Sequence, residues 1–207
     1  SLRTLKATRE ASLEELIEKT KKSLRYMLEL GVTTVEAKSG YGLSLEQEIK
    51  QLEATKLLNY LQPISLVSTV MAAHATPPEF KGRTGDYVEE VIKMLPEIKK
   101  RNLAEFCDVF CEEGVFSVED SRKILTKAKE LGFQLKIHAD EVVSLGGVEL
   151  AGELQAVTAE HLMVITEEGI QALKRGRVIA DLLPATSFNL RHEYAPARKN
   201  LDAGVQV

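Results

Sequence analysis

The sequence lacks the features that would place this 207-residue chain in a membrane or on a nucleic acid. No apolar run approaches the roughly 18 residues that a membrane-spanning helix needs, and the first residues have the pattern of neither a signal nor a transit peptide. Twenty-seven Lys and Arg residues against 31 Asp and Glu give a net charge of −4, without a basic stripe interleaved with aromatic residues. We therefore expect no nucleic-acid partner, no membrane contact and a cytoplasmic location.

Cysteine and nucleotide-binding motifs are equally scarce. The two cysteines, Cys107 and Cys111, lie four positions apart, which suits neither a disulfide framework nor a Cys-x-x-Cys metal pair. We expect both to be buried thiols. The sequence contains neither a GxGxxG motif nor a Walker A motif, so no nucleotide fingerprint is present.

The sequence does contain a regular alternation of amphipathic stretches and short apolar runs rich in Val and Ile. The first helix is predicted to begin after Ser12, where Glu15 completes a capping box, and to end at Gly31. Strands alternating with helices at this spacing are typical of parallel βαβ units. Further helices are predicted near 45–61, 84–102, 117–131, 143–153, 166–175 and 193–203, and strands are predicted to begin near 32, 64, 105, 134, 156, 177 and 205.

Seven such units could form a doubly wound sheet or most of a (β/α)8 barrel. Polar residues cluster after nearly every predicted strand, as they do where the loops of a barrel meet around one mouth. A doubly wound sheet would concentrate them at one or two switch points. The sequence therefore predicts a single α/β unit over residues 1–207, an incomplete (β/α)8 TIM barrel. Because the chain starts without Met and stops in "DAGVQV", we expect it to be part of a longer protein.

Three of the four histidines lie at the expected C-terminal ends of strands, where barrel active sites are built. His138 ends the strand "QLKIHA", and Asp140 and Glu141 follow it. Three polar groups leaving a buried strand together are hard to satisfy by packing alone, which favours a metal ligand over a hydrogen-bonded core histidine. His161 follows the next strand, so the two imidazoles could face one substrate or one metal-bound water. Glu160 could orient a ligand or be a solvated carboxylate.

Two earlier loops are candidates for substrate contacts. His74 lies in "MAAHATPPEF", where small neighbours leave room around the imidazole. The loop "EAKSGYGLS" presents Lys38, Ser39 and Tyr41. It could be a tight turn that needs glycine at positive φ, or a substrate loop in which Tyr41 donates its hydroxyl. His192 is expected to open the last helix in a structural role.

The order and spacing of several motifs resemble those of imidazolonepropionases, the amidohydrolases of histidine degradation. The resemblance covers essentially the whole chain. A single His-Ala-Asp is shared with related hydrolases and with deaminases such as those of guanine and cytosine, whereas "KSGYG" combined with "AHATPPE" is specific to this family. The motifs are "VTTVEAKSGYGL", "AAHATPPEF", "GRTGDYV", "DVFCEEGVFS", "KIHADE", "SLGGVELA", "AEHL" and "LLPATSFNLR".

The resemblance implies a homodimeric hydrolase that opens the ring C–N bond of 4-imidazolone-5-propanoate to give N-formimidoyl-L-glutamate. It implies one zinc or iron ion that activates a water molecule. Among the residues present, His138 matches the family's metal ligand on the fifth barrel strand. Glu141 and His161 match the groups that activate water and transfer protons, and Tyr41 and His74 match substrate contacts.

The chain also departs from the family pattern. The family's first barrel strand carries a His-x-His pair of metal ligands, and no His-x-His occurs in this sequence. By the resemblance, the chain comprises barrel strands 2 to 7 and the start of strand 8, without the small β-domain, and it retains one of four metal ligands. We therefore expect the isolated chain to be inactive. The alternative is a natural truncated paralogue that binds a small carboxylate or a partner without catalysis.

Overall fold

A computed structural model describes residues 2–207, and within that range six strands alternate with helices along the chain. Ser1, part of the predicted unit, lies outside the described residues. The strands are β1 (Thr34–Lys38), β2 (Ser65–Ala73), β3 (Phe106–Cys111), β4 (Gln134–Ala139), β5 (Thr158–His161) and β6 (Ile179–Asp181). The helices are α1 (Leu2–Glu10), α2 (Leu13–Glu29), α3 (Leu45–Leu61), α4 (Thr84–Lys100), α5 (Val118–Glu130), α6 (Gly147–Leu154), α7 (Glu167–Gly176), α8 (Pro184–Leu190) and α9 (Ala197–Asp202), with a 3₁₀ turn at Pro78–Phe80.

The six strands form one parallel sheet whose order follows the chain from β1 to β6. In a flat sheet, β1 and β5 would lie roughly 19 Å apart, because four strand spacings of about 4.8 Å separate them. The ammonium of Lys38 on β1 nevertheless lies 2.7 Å from a carboxylate oxygen of Glu160 on β5. The sheet must therefore curl strongly, and it forms half of a barrel, in agreement with the predicted fold class.

Several local features predicted from the sequence are present in the structure. The Ser12 hydroxyl accepts a hydrogen bond from the Glu15 backbone N–H at 3.1 Å, and the Glu15 carboxylate accepts one from the Ser12 N–H at 2.8 Å. The predicted capping box is thus confirmed. The main core packs between the outer face of the sheet and the helices, where Tyr87 is fully buried and donates its hydroxyl to the Ala72 carbonyl at 2.9 Å. Cys107 and Cys111 are buried free thiols, as predicted.

The structure differs from the sequence-based prediction at both ends of the chain. The helices α1 and α8 were not predicted, and α9 begins at Ala197 rather than near 193. Because the ring of Pro196 disfavours helical backbone at the residue before it, a helix cannot continue through this point from 193. His192 therefore lies between two helices instead of opening one.

The predicted seventh strand is reduced to a single backbone hydrogen bond to the sheet. Residues 205–207 are not assigned to a strand, although the Ala180 backbone N–H donates to the Gln206 carbonyl at 2.8 Å. Among residues 2–207, no helix is both long and apolar enough to cross a bilayer.

Candidate active site

The C-terminal ends of β1, β2, β4 and β5 bring all five predicted site residues to one end of the half-barrel. Tyr41 follows β1, His74 directly follows β2, His138 lies in β4 with Glu141 just beyond it, and His161 ends β5. The Tyr41 and His74 rings lie 4.9 Å apart between centroids, and the His138 and His161 rings lie 5.1 Å apart. This arrangement agrees with the expectation that polar side chains from several strand ends meet around one mouth.

Phe110 on β3 links the two pairs of rings. Its centroid lies 6.3 Å from that of His74 and 6.0 Å from that of His138. The register pairs Phe110 with His138 across β3 and β4, so both side chains point to the concave face of the sheet. An aromatic wall therefore connects the Tyr41 and His74 side of the mouth to the His138 and His161 side.

The loop that carries Tyr41 is pressed against the end of β2. The His74 Nδ1 lies 2.9 Å from the Gly40 carbonyl oxygen, so Nδ1 donates this hydrogen bond and Nε2 is not used by it. Gly40 has a φ of +102°, and a Cβ there would lie 2.6 Å from the Met71 carbonyl oxygen. The turn thus requires glycine at positive φ, as one interpretation of the sequence predicted.

Two carboxylates hold the ring of His138. Its Nδ1 lies 3.1 Å from Asp108, which is fully buried, and its Nε2 lies 3.2 Å from Glu160, which is 3% exposed. Burial lowers the pKa of His138, but the negative charge of Asp108 and the hydrogen bond to it outweigh burial and raise this pKa above its usual range. The interpretation of Glu160 as a solvated carboxylate is wrong.

Lysine side chains complete this buried cluster. Lys38 was predicted to lie in the loop "EAKSGYGLS", but it is the last residue of β1, and its Nζ lies 2.7 Å from both Asp108 and Glu160. It also lies 3.1 Å from Glu36, and Lys136 lies 3.1 Å from Glu160. Three carboxylates and two ammonium groups leave one net negative charge beside His138. The cluster therefore favours a positive charge at His138, which a proton or a bound cation would supply.

His161 has a different environment. Burial lowers its pKa, which keeps the imidazole neutral, and its Nδ1 is buried without a hydrogen-bond partner among the described residues. Its Nε2 lies 3.7 Å from a Glu141 oxygen, too far for a direct hydrogen bond. The backbone of His161 has a φ of +76°, a strained conformation of the kind found at functional sites. A neutral imidazole beside a carboxylate can accept a proton.

The donor set near His138 fits a divalent cation. Ligand atoms of Asp108, His138 and Glu160 all lie within 4.8 Å of one another, and imidazole nitrogen with carboxylate oxygen suits either zinc or iron. Asp108 and Glu160 each hold one ring nitrogen of His138, so a metal bound at Nε2 would replace the contact with Glu160 while Asp108 keeps its contact with Nδ1. Asp108 was not among the predicted site residues, although it opens the family motif "DVFCEEGVFS" and lies in the strand predicted to begin near 105.

Sequence comparisons with known proteins all lead to relatives of the same name. No protein-family model matches the chain. An imidazolonepropionase from Fusobacterium nucleatum is 73% identical over 206 residues, which cover the whole of this chain and 50% of that protein. An imidazolonepropionase from Streptococcus gordonii is 58% identical over 208 residues, covering the whole chain and 67% of that protein. The chain spans about half the length of most curated relatives that it matches.

Comparisons of structure support the fold. A guanine deaminase from C. acetobutylicum with bound guanine superposes with a TM-score of 0.71 at 14% identity, over 99% of this chain and 51% of that one. A cog1816 amidohydrolase from Burkhoderia ambifaria with bound Zn gives 0.64 at 15% identity, over 94% and 56%. At such identities the similarity shows the fold alone, which is that of amidohydrolase barrels.

Proposed function

The chain belongs to the imidazolonepropionase family, and we propose that the full-length protein, a chain of its relatives' length, hydrolyses 4-imidazolone-5-propanoate to N-formimidoyl-L-glutamate. One observation carries the proposal: the candidate residues from four strand ends converge beside a histidine and carboxylate cluster with a net negative charge. Such a cluster binds a cation at the point where barrel enzymes perform their chemistry.

A bound zinc or iron ion would supply an activated water molecule and polarise the bond to be broken. We assign its binding in this chain to His138 through Nε2. Asp108 accepts the hydrogen bond from Nδ1 and thereby fixes the tautomer and the orientation of the ring, the arrangement commonly found behind metal-bound histidines. Burial raises the pKa of Asp108, but the His138 ring and, to a smaller extent, the Lys38 ammonium outweigh burial and lower this pKa, so Asp108 stays ionised.

We assign proton transfer at the reacting carbon to His161 and Glu141. The lowered pKa of His161 keeps the ring able to accept a proton, and the carboxylate of Glu141 lies on the same side of the mouth. Tyr41 would donate its hydroxyl to the substrate. His74, whose Nδ1 is held by the Gly40 carbonyl, would present Nε2 as an acceptor.

The alternative of a non-catalytic paralogue is less well supported. Relatives named for the enzyme are 58% and 73% identical across the whole chain. In addition, Lys38 and Lys136 are paired with carboxylates of the chain itself, so they are not free to bind the carboxylate of a ligand.

Replacement of His138 tests the proposal. The full-length wild type, His138→Ala and His192→Ala would be loaded with zinc or ferrous iron, and metal content and hydrolysis would be measured on the same samples. We expect His138→Ala to lose both, and His192→Ala, whose exposed side chain forms no hydrogen bond, ion pair or ring contact with the five site residues in the described part of the chain, to keep both. Full metal content in His138→Ala would overturn the ligand assignment. A metal-loaded wild type without hydrolysis would overturn the proposed reaction.

A further inference from the structure

Two buried glutamates, Glu48 and Glu112, bind the backbone of the two loops that carry Tyr41 and Glu141. We propose that both are positioning residues, Glu48 for the substrate contact of Tyr41 and Glu112 for the proton transfer of Glu141. The inference rests on the roles assigned to those two residues in the proposed function. Substrate binding and proton transfer would then each depend on a different buried carboxylate, Glu48 and Glu112.

Glu48 holds the loop on both sides of Tyr41. It lies in the first turn of α3 and is fully buried. Its Oε2 accepts a hydrogen bond from the Gly40 N–H at 2.9 Å, and its Oε1 accepts bonds from Gly42 at 3.0 Å and Leu43 at 2.8 Å. One carboxylate on a rigid helix therefore fixes the backbone immediately before and after Tyr41.

Glu112 holds the loop that follows Glu141. It comes directly after β3 and is 4% exposed. Its Oε2 accepts a hydrogen bond from the Val142 N–H at 2.9 Å, and its Oε1 accepts bonds from Val143 at 3.1 Å and from its neighbour Glu113 at 2.9 Å. The two amides of the neighbouring loop are the first two after Glu141, so the direction in which Glu141 leaves β4 depends on Glu112.

The chemistry of these contacts explains why a carboxylate is needed. An ionised carboxylate is an acceptor at both oxygens, and bonds from N–H groups to it are shorter and stronger than neutral ones. A glutamine of the same shape has one acceptor oxygen and an NH₂ group, which would face a backbone N–H. Glu→Gln therefore removes at least one hydrogen bond from a backbone N–H and places the new NH₂ group against that N–H. Because two donors repel each other, the loop bound by the glutamate must move.

The position of each loop predicts which kinetic constant changes. A misplacement of about 1 Å can cost up to about 100-fold in rate, whereas loss of a contact made equally in ground and transition states raises KM alone. We expect Glu48→Gln to raise KM at least about fivefold with kcat within about twofold. We expect Glu112→Gln to lower kcat about 10-fold to 100-fold with KM within about twofold.

The experiment compares these two variants in the full-length, metal-loaded protein with Glu46→Gln and Glu113→Gln as matched controls. The control side chains lie two residues and one residue away and are exposed, so they undergo the same chemical change without burial. Hydrogen exchange of the amides of residues 40–43 and 142–143 gives a readout that is independent of activity. Each buried variant should accelerate exchange in its own loop only, and the controls should accelerate neither.

Two results would overturn the proposal. The first is that both variants change kcat and KM in the same proportion, following their melting temperatures, since that is the effect of a general loss of stability. The second is unchanged exchange in the corresponding loop. If the wild-type protein has no hydrolase activity, the proposed function fails by itself, and the exchange pattern still decides whether each glutamate positions its loop.

Discussion

Replacement of Gly40 by alanine tests how tightly the Tyr41 loop is packed against the end of β2. The new methyl group would lie 2.6 Å from the Met71 carbonyl oxygen and 3.0 Å from the His74 Cβ, and the backbone has a φ of +102°. The carbonyl belongs to a strand of the sheet, so it cannot turn away as a flexible side chain would. The substitution therefore combines backbone strain with a steric clash.

Gly31 allows these two effects to be separated. It has a φ of +88°, and a Cβ there would meet no atom within 4 Å. Gly31→Ala should cost only the strain of a positive φ, about 1–2 kcal/mol in the free energy of unfolding. Gly40→Ala should cost the same strain plus overpacking of about 1–3 kcal/mol, for a total of about 2–5 kcal/mol.

The measurement is equilibrium unfolding of both variants and the wild type of the full-length protein in urea, followed by circular dichroism. Because Gly40→Ala displaces the backbone beside Tyr41, it should also raise KM, whereas Gly31→Ala should leave KM unchanged. If the two variants lose stability equally, within about 0.5 kcal/mol, the close approach to Met71 does not exist and the reasoning is refuted.

Two further predictions concern buried charge and buried thiols. Lys38→Met should lower the free energy of unfolding by about 3–5 kcal/mol because it leaves buried carboxylates without their cation. Lys93→Met removes an exposed ion pair and should lower it by less than about 1 kcal/mol. Equal losses of stability in urea unfolding would contradict this prediction. Burial raises the pKa of Cys107 and Cys111, so native alkylation by iodoacetamide should remain slow between about pH 7 and pH 9, where unfolded thiols ionise. Fast native labelling that increases with pH would show that the thiols are accessible.

Most of the fold could be predicted because its signals are local. The change from helical to strand periodicity, the capping box at Ser12 and the helix end at Gly31 all act within a few residues, and β1 to β6 lie where those signals place them. The local signals were less clear for the two short helices near the end of the chain, α8 and α9. The helix α8 starts at Pro184, a residue that suits a first helical turn as well as the end of a strand.

The candidate site was predictable where one residue type carried the information. Histidines at strand ends pointed to the mouth, but Asp108 lies in the middle of an apolar run and was interpreted as part of a strand. A period-2 signal was available, since Lys136 lies two residues before His138 and Glu36 lies two residues before Lys38, so each pair shares a face. The ion pairs themselves, Lys38 with Glu160 and Lys136 with Glu36, join residues 122 and 100 positions apart, and they depend on the curl of the sheet, which no local pattern specifies.

The sequential order of the strands has a consequence for how the buried charges come together during synthesis. Chain growth at about 5–20 residues per second gives each unit of about 30 residues roughly two to six seconds to add to the edge of the preceding strand. The strand β1 brings Glu36 and Lys38, β3 adds Asp108, β4 adds Lys136, and β5 adds Glu160. The running charge of these five side chains is then 0, −1, 0 and −1. Among them, no strand added from β1 to β5 leaves more than one charge uncompensated.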